Sequence, residues 1–193
     1  MISNLEKLNE ILDAKKIFQI LNADEEDVVC LFVGGCVRDL ISNREILDID
    51  FATSLTPDKI KKKLETSNIS YDDSFENYGS IKILLNNKYY EVNTLRKDFD
   101  HDGRHSSVLF TQDWRQDALR RDFTINAIYS DLNGRIYDPF KGADDLKNGR
   151  IRFIGDPIKR IQQDYLGALR YFRFFIQFSK VSHDEYVINC IKK

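Results

Sequence analysis

The feature that most constrains the fold of this chain is an apolar run that ends in two adjacent glycines. The run is rich in β-branched and aromatic side chains, a composition that predicts a buried strand. Its members are Val28, Val29, Leu31, Phe32 and Val33. Because Gly34 and Gly35 have no side chains, backbone N–H groups at this turn can approach an anion, and Arg38 is placed to neutralise its charge. A simple tight turn would also explain the glycine pair taken alone.

A pair of aspartates begins nine residues after Asp39. Asp48 and Asp50 alternate with apolar residues, so on a strand both carboxylates would project from one face, about 7 Å apart at Cα. Two oxygen ligands at that spacing suit Mg²⁺ bound to the phosphates of a nucleotide. A solvated strand end is the alternative for the Asp-Ile-Asp segment alone. The sequence has neither a P-loop nor a dinucleotide-binding glycine pattern, so no other motif competes for the phosphate role.

Composition and cysteine usage narrow the class of protein. The 193 residues have a net charge of −2 and are 31% charged, so the chain is not a strongly basic nucleic-acid binder and any RNA contact would depend on local patches. Cys30, Cys36 and Cys190 are odd in number and widely spaced, which supports neither a disulfide framework nor a zinc site and favours a cytoplasmic location. No apolar run approaches the ~18 residues of a membrane span, so no membrane partner is expected.

Apolar spacing and capping residues predict the first helices. Residues 4–22 are expected to form one amphipathic helix. Thr56 and Pro57 indicate the start of a helix that runs to about Leu64. This helix carries a lysine run, for which a solvated face is favoured over an RNA contact. The lysines are Lys59, Lys61, Lys62 and Lys63.

The same signals predict three helices in the second half of the chain. Residues 113–127 are expected to form a helix in which Asp117 and Arg121 make an i,i+4 pair. A short helix over 144–147 should end at Gly149. A long helix should run from Asp156 to about Ser179, with one apolar stripe packed on the core. The stripe consists of Ile161, Tyr165, Ala168, Leu169, Phe172, Phe175 and Ile176.

Two tight turns predict hairpins. Asn86-Asn87 should join strands at 79–85 and 88–95 in the sheet that holds the aspartate pair, and Asn133-Gly134 should form a second hairpin. Glu91 lies on the opposite face from its strand neighbours, where an exposed side chain is favoured over a third carboxylate near the metals.

A polar segment at 98–107 looks like a mobile loop. It contains His101 and His105, but no third ligand has supporting spacing, so a metal site there is disfavoured.

The motifs together are similar to those of the class II tRNA nucleotidyltransferases (CCA-adding enzymes) and bacterial poly(A) polymerases. In order and spacing they cover roughly residues 30–176. The matching segments are 34–39, 48–50, the Arg120–Ala127 block, 138–140 with 142–146, 151–152 with 155–157, and 160–174. Any one segment would be a weak signal, but the ordered set is specific.

The resemblance implies an α+β fold: a nucleotidyltransferase-type palm with a small mixed or antiparallel sheet flanked by helices over residues 1–150, followed by a truncated helical neck over 151–193. It implies transfer of CMP or AMP from CTP or ATP to the 3′ end of tRNA or another RNA. Poly(A) addition is the nearest alternative, and an inactive RNA- or protein-binding remnant is the alternative from another class. The body and tail that hold tRNA in the family are absent from this chain.

The resemblance also implies roles for individual residues. Asp48 and Asp50 would hold two Mg²⁺ ions, and Gly35 and Arg38 would hold phosphates. Three further arginines would add positive charge, and the Arg-Arg-Asp block at 120–122 would recognise the ribose. These arginines are Arg121, Arg170 and Arg173.

One position departs from the family pattern. Family members have Glu-Asp-x-x-Arg where this chain has Gln163-Asp164-Tyr165-Leu166-Gly167. Asp164 keeps the acceptor that reads the base edge, whereas Gly167 lacks the donor, so base selection is expected to be damaged. A mid-helix glycine also costs about 1 kcal/mol relative to alanine.

The predicted neck helix should leave four aromatic residues incompletely covered, and such a surface favours self-association or a separate chain that supplies the body. These residues are Phe172, Phe174, Phe175 and Phe178.

Overall fold

The computed structural model describes residues 2–99 and 107–192, and the described strands form a mixed sheet and a separate hairpin. In chain order the strands are β1 (Cys30–Val33), β2 (Asp50–Thr53), β3 (Tyr71–Asp72), β4 (Ser80–Leu85), β5 (Lys88–Thr94), β6 (Arg96–Phe99), β7 (Ser107–Phe110), β8 (Tyr129–Ser130) and β9 (Ile136–Tyr137). The sheet has the order β3-β4-β5-β2-β1-β8-β9, and β6 pairs with β7. Strands β2 and β5 run parallel, and the other pairs named here are antiparallel.

Helices flank this sheet and continue after it. The α-helices are α1 (Leu12–Asn22), α2 (Gly35–Ile41), α3 (Pro57–Thr66), α4 (Trp114–Leu119), α5 (Gly142–Asn148), α6 (Pro157–Gln163), α7 (Leu166–Phe178) and α8 (Glu185–Ile191). Short 3₁₀ segments cover Ile2–Glu10, Glu76–Tyr78 and Thr124–Asn126. The expected α+β class is confirmed. Among the described helices, none has the length and apolar character needed to cross a bilayer.

The main core lies on one face of the sheet. Phe18 of α1 stacks on Phe32 of β1, with ring centroids 5.4 Å apart, and Phe32 contacts Phe51 of β2 at 4.8 Å. Successive strand residues point to opposite faces, so the neighbours of these buried residues face away from the core. The opposite face of β2 and β5 carries Asp50 and Glu91, and their placement there follows from the alternation.

The N-terminal segment differs from the single helix predicted over residues 4–22. A 3₁₀ segment ends at Glu10, Ile11 is extended, and α1 begins at Leu12, which is 77% exposed. The physical reason is the spacing of the first apolar residues. Leu5, Leu8 and Ile11 are three residues apart, which matches the three-residue turn of a 3₁₀ helix, and Leu5 and Leu8 are buried.

Both predicted hairpins are confirmed. Asn86 and Asn87 have φ values of 49° and 62° between β4 and β5, as a two-residue type I′ turn requires. Gly134, with a φ of 74°, lies in the turn between β8 and β9. Helix α5 also ends at Gly149 as predicted, with that glycine in the left-handed conformation.

The helix predicted over residues 113–127 is too long. Helix α4 ends at Leu119, and the chain then turns into the 3₁₀ segment Thr124–Asn126. The Asp122 carboxylate accepts a bond from the Phe123 N–H, and Phe123 forms a β-bridge with Phe153. These contacts replace helical hydrogen bonds, so tertiary pairing overrides the local helical pattern.

The helix predicted from Asp156 to Ser179 is two helices. Asp156 caps α6 as predicted, by accepting a bond from the Ile158 N–H. The break comes at Asp164, whose backbone is extended and whose carboxylate accepts a bond from the Leu166 N–H. A short acidic side chain that bonds to the backbone in this way favours a helix start over a helix interior.

The break also changes which face of α7 is buried. The predicted apolar stripe is wrong for α7, because Tyr165, Leu169 and Ile176 are 76%, 66% and 84% exposed. The buried residues of α7 are Gly167, Tyr171, Phe174 and Phe178. Phe172 is exposed and Phe175 is partly buried, as predicted, but the expectation that Phe174 and Phe178 are incompletely covered is wrong.

The lysine run of α3 is partly engaged in ion pairs. Lys61 lies within ion-pair distance of Asp58 and Asp73 and contacts Glu76, and Lys63 lies 3.0 Å from Glu25. A fully solvated face is therefore wrong for these two lysines. The loop with His101 and His105 lies outside the described residues.

Candidate active site

The predicted phosphate turn lies between β1 and α2. Gly34 has a φ of 74°, which side-chain-bearing residues rarely adopt, and α2 begins at Gly35. A Cβ atom on Gly34 would lie 3.6 Å from Nη1 of Arg121, and one on Gly35 would lie 3.7 Å from Nη2 of Arg38. Both distances are ordinary contacts, so the guanidinium groups of Arg121 and Arg38 lie against this turn, and it is the positive φ at position 34 that favours glycine.

The acidic residues lie beside this turn. Asp50 is the first residue of β2, and Asp48 precedes the strand and is exposed, so the expectation that both lie on one strand is wrong for Asp48. Ile49 between them is buried, so the alternation of the segment is retained. Glu91 is the direct partner of Asp50 in the parallel ladder, and its carboxylate accepts a 2.7 Å bond from the Ser80 hydroxyl.

Glu91 lies closer to the aspartates than the sequence predicts. The expectation of an exposed strand residue is wrong, because Glu91 is partly buried next to Asp50. Burial and the charge of Glu91, opposed by Arg121 and reinforced by Asp48, raise the pKa of Asp50 to about 6. A crowded set of carboxylates of this kind supplies hard oxygen ligands, and a divalent cation would relieve their repulsion. Within the described part of the chain, no three His, Cys, Asp or Glu side chains form a ready-made metal cluster.

A buried ion-pair network fixes Arg121. Asp117 is 1% exposed and accepts bonds from Arg121 at 3.2 Å, Arg120 at 2.8 Å and the Tyr129 hydroxyl at 2.8 Å. The i,i+4 pair predicted from the sequence is thus confirmed. Burial alone would raise the pKa of Asp117, but the charges of Arg121 and Arg120 and the Tyr129 bond hold it below its usual value. Arg121 therefore presents a fixed positive charge next to Gly34.

Arg38 is held in a second network. Its guanidinium makes a bidentate pair with Asp39, at 2.9 and 3.0 Å, and donates a 2.7 Å bond to the side-chain Oδ1 of Asn126. It also lies about 5 Å from the ring centroids of Phe174 and Phe178. Sequence reasoning did not assign Asn126, although it lies within the Arg120–Ala127 block. The asparagine side chain connects this block to the phosphate turn.

Arg170 connects the neck helix to the same block. Its guanidinium donates a 2.7 Å bond to the Asp122 carboxylate and a 2.8 Å bond to the Asp164 carboxylate, so Arg170 forms two ion pairs. Hydrogen bonds from Arg170 and from the Leu166 N–H keep the pKa of Asp164 below its usual value. The acceptor predicted to face a nucleotide base is therefore engaged by α7 itself.

Two adjoining cavities of about 470 and 410 Å³ collect most of the predicted site residues. Both cavities are lined by Gly35, Arg38, Asp50, Arg173 and Phe174. Asp48 lines the first, and Arg121 and Arg170 line the second. Asp164 is not among the lining residues of either, and it reaches the second only through Arg170.

Gly167 lies in the first turn of α7 and is buried. A Cβ atom there would meet Phe153, Arg170 and the Arg160 carbonyl at 3.8 to 4.0 Å, which is ordinary contact. A larger residue could therefore begin at this position without displacing the backbone.

A mixed sheet with carboxylates on one face, beside a glycine turn and an arginine-lined cleft, defines a nucleotidyltransferase-type palm. Comparison with known proteins agrees. The model of the poly A polymerase head domain matches residues 30–152. The mitochondrial CCA tRNA nucleotidyltransferase 1 of Danio rerio is 48% identical over 143 residues, which are 74% of this chain and 33% of that protein. The chain belongs to the poly A polymerase head domain family.

Solved structures are similar over most of the chain. The Bacillus stearothermophilus CCA-adding enzyme in complex with CTP has a TM-score of 0.78 and 32% identity, and the match covers 93% of this chain and 42% of that one. A tRNA nucleotidyltransferase complexed with a primer tRNA and an ATP analogue has a TM-score of 0.69 and 26% identity, with 91% of this chain and 48% of that one covered. The chain thus spans less than half the length of these relatives.

Proposed function

We propose that this chain carries the catalytic part of a template-independent RNA nucleotidyltransferase, which adds CMP and AMP from CTP and ATP to the 3′ end of tRNA. The observation that carries the proposal is the position of Asp50 beside Glu91 at the edge of an arginine-lined cleft. Relatives named for CCA addition support the substrate class. We further propose that residues 1–150 form the catalytic head and residues 151–193 the start of a neck.

We assign the metal role to Asp48 and Asp50, with Glu91 as a third carboxylate. The carboxylate oxygens suit Mg²⁺, and the repulsion that raises the pKa of Asp50 supports the fit. When bound, Mg²⁺ would lower the pKa of the RNA 3′ hydroxyl and stabilise the leaving pyrophosphate. Because these side chains do not enclose a metal by themselves, the nucleotide phosphates and water would complete the coordination.

The arginines around the cleft would bind the triphosphate. Arg121 is pre-positioned by Asp117, so its charge needs no rearrangement when phosphate binds. Gly35 and Arg38 would form the wall on the α2 side. Arg170 and Arg173 extend the positive charge along α7. Together these groups would hold the β- and γ-phosphates while the α-phosphate lies over Asp50.

The base would be read from the start of α7. Asp164 can accept a bond from the exocyclic amine of C or A once Arg170 releases it, and Gly167 supplies no donor. This arrangement predicts weak base selection. It is also the observation that favours the second candidate, an inactive remnant that still binds RNA. Poly(A) addition would use the same head.

The exposed side of α7 supports a proposal about partners. Tyr165, Leu169, Phe172 and Ile176 are exposed at helical spacing, and such a stripe favours self-association or a separate chain that supplies the body. Sedimentation of the purified chain over a range of concentrations would detect self-association. We also propose a reducing, cytoplasmic environment, since all three cysteines are free and buried.

One assay separates these functions. A tRNA that lacks its CCA end is incubated with the chain, Mg²⁺ and each labelled NTP in turn. CMP and AMP incorporation limited to three residues supports CCA addition, whereas long AMP tails indicate poly(A) addition. No incorporation with retained RNA binding would contradict the enzymatic proposal and favour the remnant.

A further inference from the structure

The position of the RNA acceptor follows from the geometry of the displacement, given the proposed function. In phosphoryl transfer the attacking and leaving oxygens lie roughly in line, on opposite sides of phosphorus. The described cations that line the cleft lie on the β1, α2 and α7 side of Asp50. The pyrophosphate would leave towards that side. The attacking 3′ hydroxyl must then come from the other side, over β5 and β4.

That side of the sheet has an exposed apolar and aromatic surface. Tyr89 lies two residues before Glu91 on β5, so its side chain points to the same face, about 7 Å along the strand. Leu84 of β4 is its direct partner in the ladder. Tyr89 is 68% exposed and Leu84 is 38% exposed. The main apolar core lies on the other face of the sheet, so the Tyr89 ring faces solvent.

A second aromatic ring extends this surface. Phe75 is 51% exposed, and the Lys82 ammonium lies 5.3 Å from the centroid of its ring. Lys82 is the partner of Glu91 in the same ladder and lies between Glu91 and Asp72. Tyr89, Leu84, Phe75 and Lys82 are called here the β4–β5 platform. The platform starts beside the carboxylates and runs away from the arginine cleft.

The platform is held rigidly. The Asn86 side chain in the β4–β5 turn donates a 2.7 Å bond to Asp13 of α1, and the Tyr90 hydroxyl bonds the same carboxylate at 3.3 Å. The hairpin is therefore fixed to the helical layer behind the sheet. A fixed aromatic surface loses little entropy when a ligand stacks on it.

We propose that the β4–β5 platform binds the 3′-terminal nucleosides of the acceptor RNA, with the last base stacked on Tyr89. Stacking suits this role because each base has a π-face, so an acceptor whose terminal base changes after every addition can use the same ring. Because the platform begins beside the carboxylates, a base stacked on Tyr89 would place its ribose where the 3′ hydroxyl reaches Asp50 and Glu91. Lys82 adds one positive charge for the RNA backbone.

The test is a binding measurement that does not require catalysis. The probe is a tRNA acceptor-stem hairpin with 2-aminopurine as its 3′-terminal base, titrated with the chain in Mg²⁺ without NTP. Tyr89→Ala should raise the Kd about fivefold to a hundredfold and remove the fluorescence quenching, whereas Tyr89→Phe should keep both. Tyr186→Ala, which removes a tyrosine on α8 that is 55% exposed, is the matched control and should behave like the parent.

A transfer assay adds a second readout. Tyr89→Ala should raise KM for RNA and leave KM for CTP unchanged. A Tyr89→Ala chain that binds the probe within twofold of the parent, or a parent that does not bind it, overturns the platform. A parent that binds and quenches the probe but transfers no CMP supports the platform and contradicts the proposed function. Loss of self-association with unchanged RNA binding in Tyr89→Ala would mean that a second copy of the chain occupies the surface, which also overturns the proposal.

Discussion

The two sides of the cleft differ in how their charges are held. On the phosphate side, formed by Asp117, Arg121 and Tyr129, the carboxylate is 1% exposed and every charge has a partner. On the base side, formed by Asp164, Gly167 and Arg170, the side chains of the Arg170–Asp164 ion pair are 31% and 49% exposed, and Asp122, the second partner of Arg170, is 24% exposed. An exposed pair contributes little and rearranges easily, whereas a buried network fixes its members.

The difference suggests a division of function. The phosphate side is organised before a nucleotide binds, because Arg121 is already beside the glycine turn. The base side has its acceptor occupied by Arg170 and no side chain at Gly167. We therefore expect a chain that binds the triphosphate of any nucleotide and selects its base poorly. The following predictions test each side in turn.

The largest effect is expected at the carboxylates. Asp50→Asn should lower the rate of NMP transfer by about a thousandfold or more, because the lost charge leaves phosphate repulsion uncompensated. Asp27→Asn is the matched control. It changes an exposed aspartate that precedes β1 and does not line either cavity, so it should keep the parent rate. A folded Asp50→Asn chain within tenfold of the parent would remove Asp50 from the metal role.

The next largest effect is expected on stability of the phosphate side. Asp117→Ala should lower the free energy of unfolding by about 3–5 kcal/mol, because it leaves the partly buried Arg121 and Arg120 without their shared carboxylate. The pKa of Asp117 is depressed in the folded chain, so this contribution is present above the unfolded pKa and is lost as pH falls through the lower, folded value. Urea unfolding of parent and variant at pH 7 and pH 3 checks both points. The difference should be smaller at pH 3 than at pH 7, because pH 3 lies below the unfolded pKa of about 3.9. An equal difference at the two pH values, or a loss below 1 kcal/mol at pH 7, contradicts the account.

A smaller effect is expected on the base side. Gly167→Arg should raise the preference for CTP and ATP over UTP and GTP by about ten- to a hundredfold in kcat/KM, through one charged hydrogen bond of about 1.5–3 kcal/mol. Gly167→Ala is the control for helix propensity, since a Cβ fits there. If Gly167→Arg leaves the preference unchanged in an active chain, base reading does not depend on this position.

The smallest effect is expected on the stability of the metal-free chain when Asp50 is changed. Burial and Glu91 raise the pKa of Asp50 to about 6, so its ionised form destabilises the fold above that pH, and the destabilisation fades as pH falls towards the unfolded pKa. Asp50→Asn should therefore stabilise the metal-free chain by about 1–2 kcal/mol at pH 7.5 and by less at pH 5. Thermal unfolding in EDTA measures the change. A lower Tm for the variant at pH 7.5 would contradict this reading of the site.

Structural elements whose sequence signals are local could be predicted from the sequence alone. The Asn86-Asn87 turn, the Asp156 cap and the Gly149 stop each depend on one or two residues and are confirmed. The class of fold and the family were predicted from the ordered motifs and are confirmed as well. The three-residue spacing of Leu5, Leu8 and Ile11 was also present in the sequence and could have indicated the 3₁₀ segment.

Features that depend on tertiary pairing could not be predicted in this way. The position of Glu91 beside Asp50 requires that β5 pair with β2 in parallel, in one register. The break between α6 and α7 depends on Asp164, which is held by Arg170 from the next helix. Asn126 bonds Arg38 from 88 positions along the chain. Each of these contacts joins residues whose proximity is set only by the completed fold.

The most direct measurement of the central comparison is the affinity of the chain for nucleotides by calorimetry in Mg²⁺. CTP, ATP, UTP, GTP and inorganic triphosphate are titrated under one set of conditions. If the phosphate side is preorganised and the base side is not, the four nucleotides should bind within about threefold of one another, and triphosphate within about tenfold of them. Binding of CTP and ATP more than tenfold tighter than UTP and GTP would contradict the account.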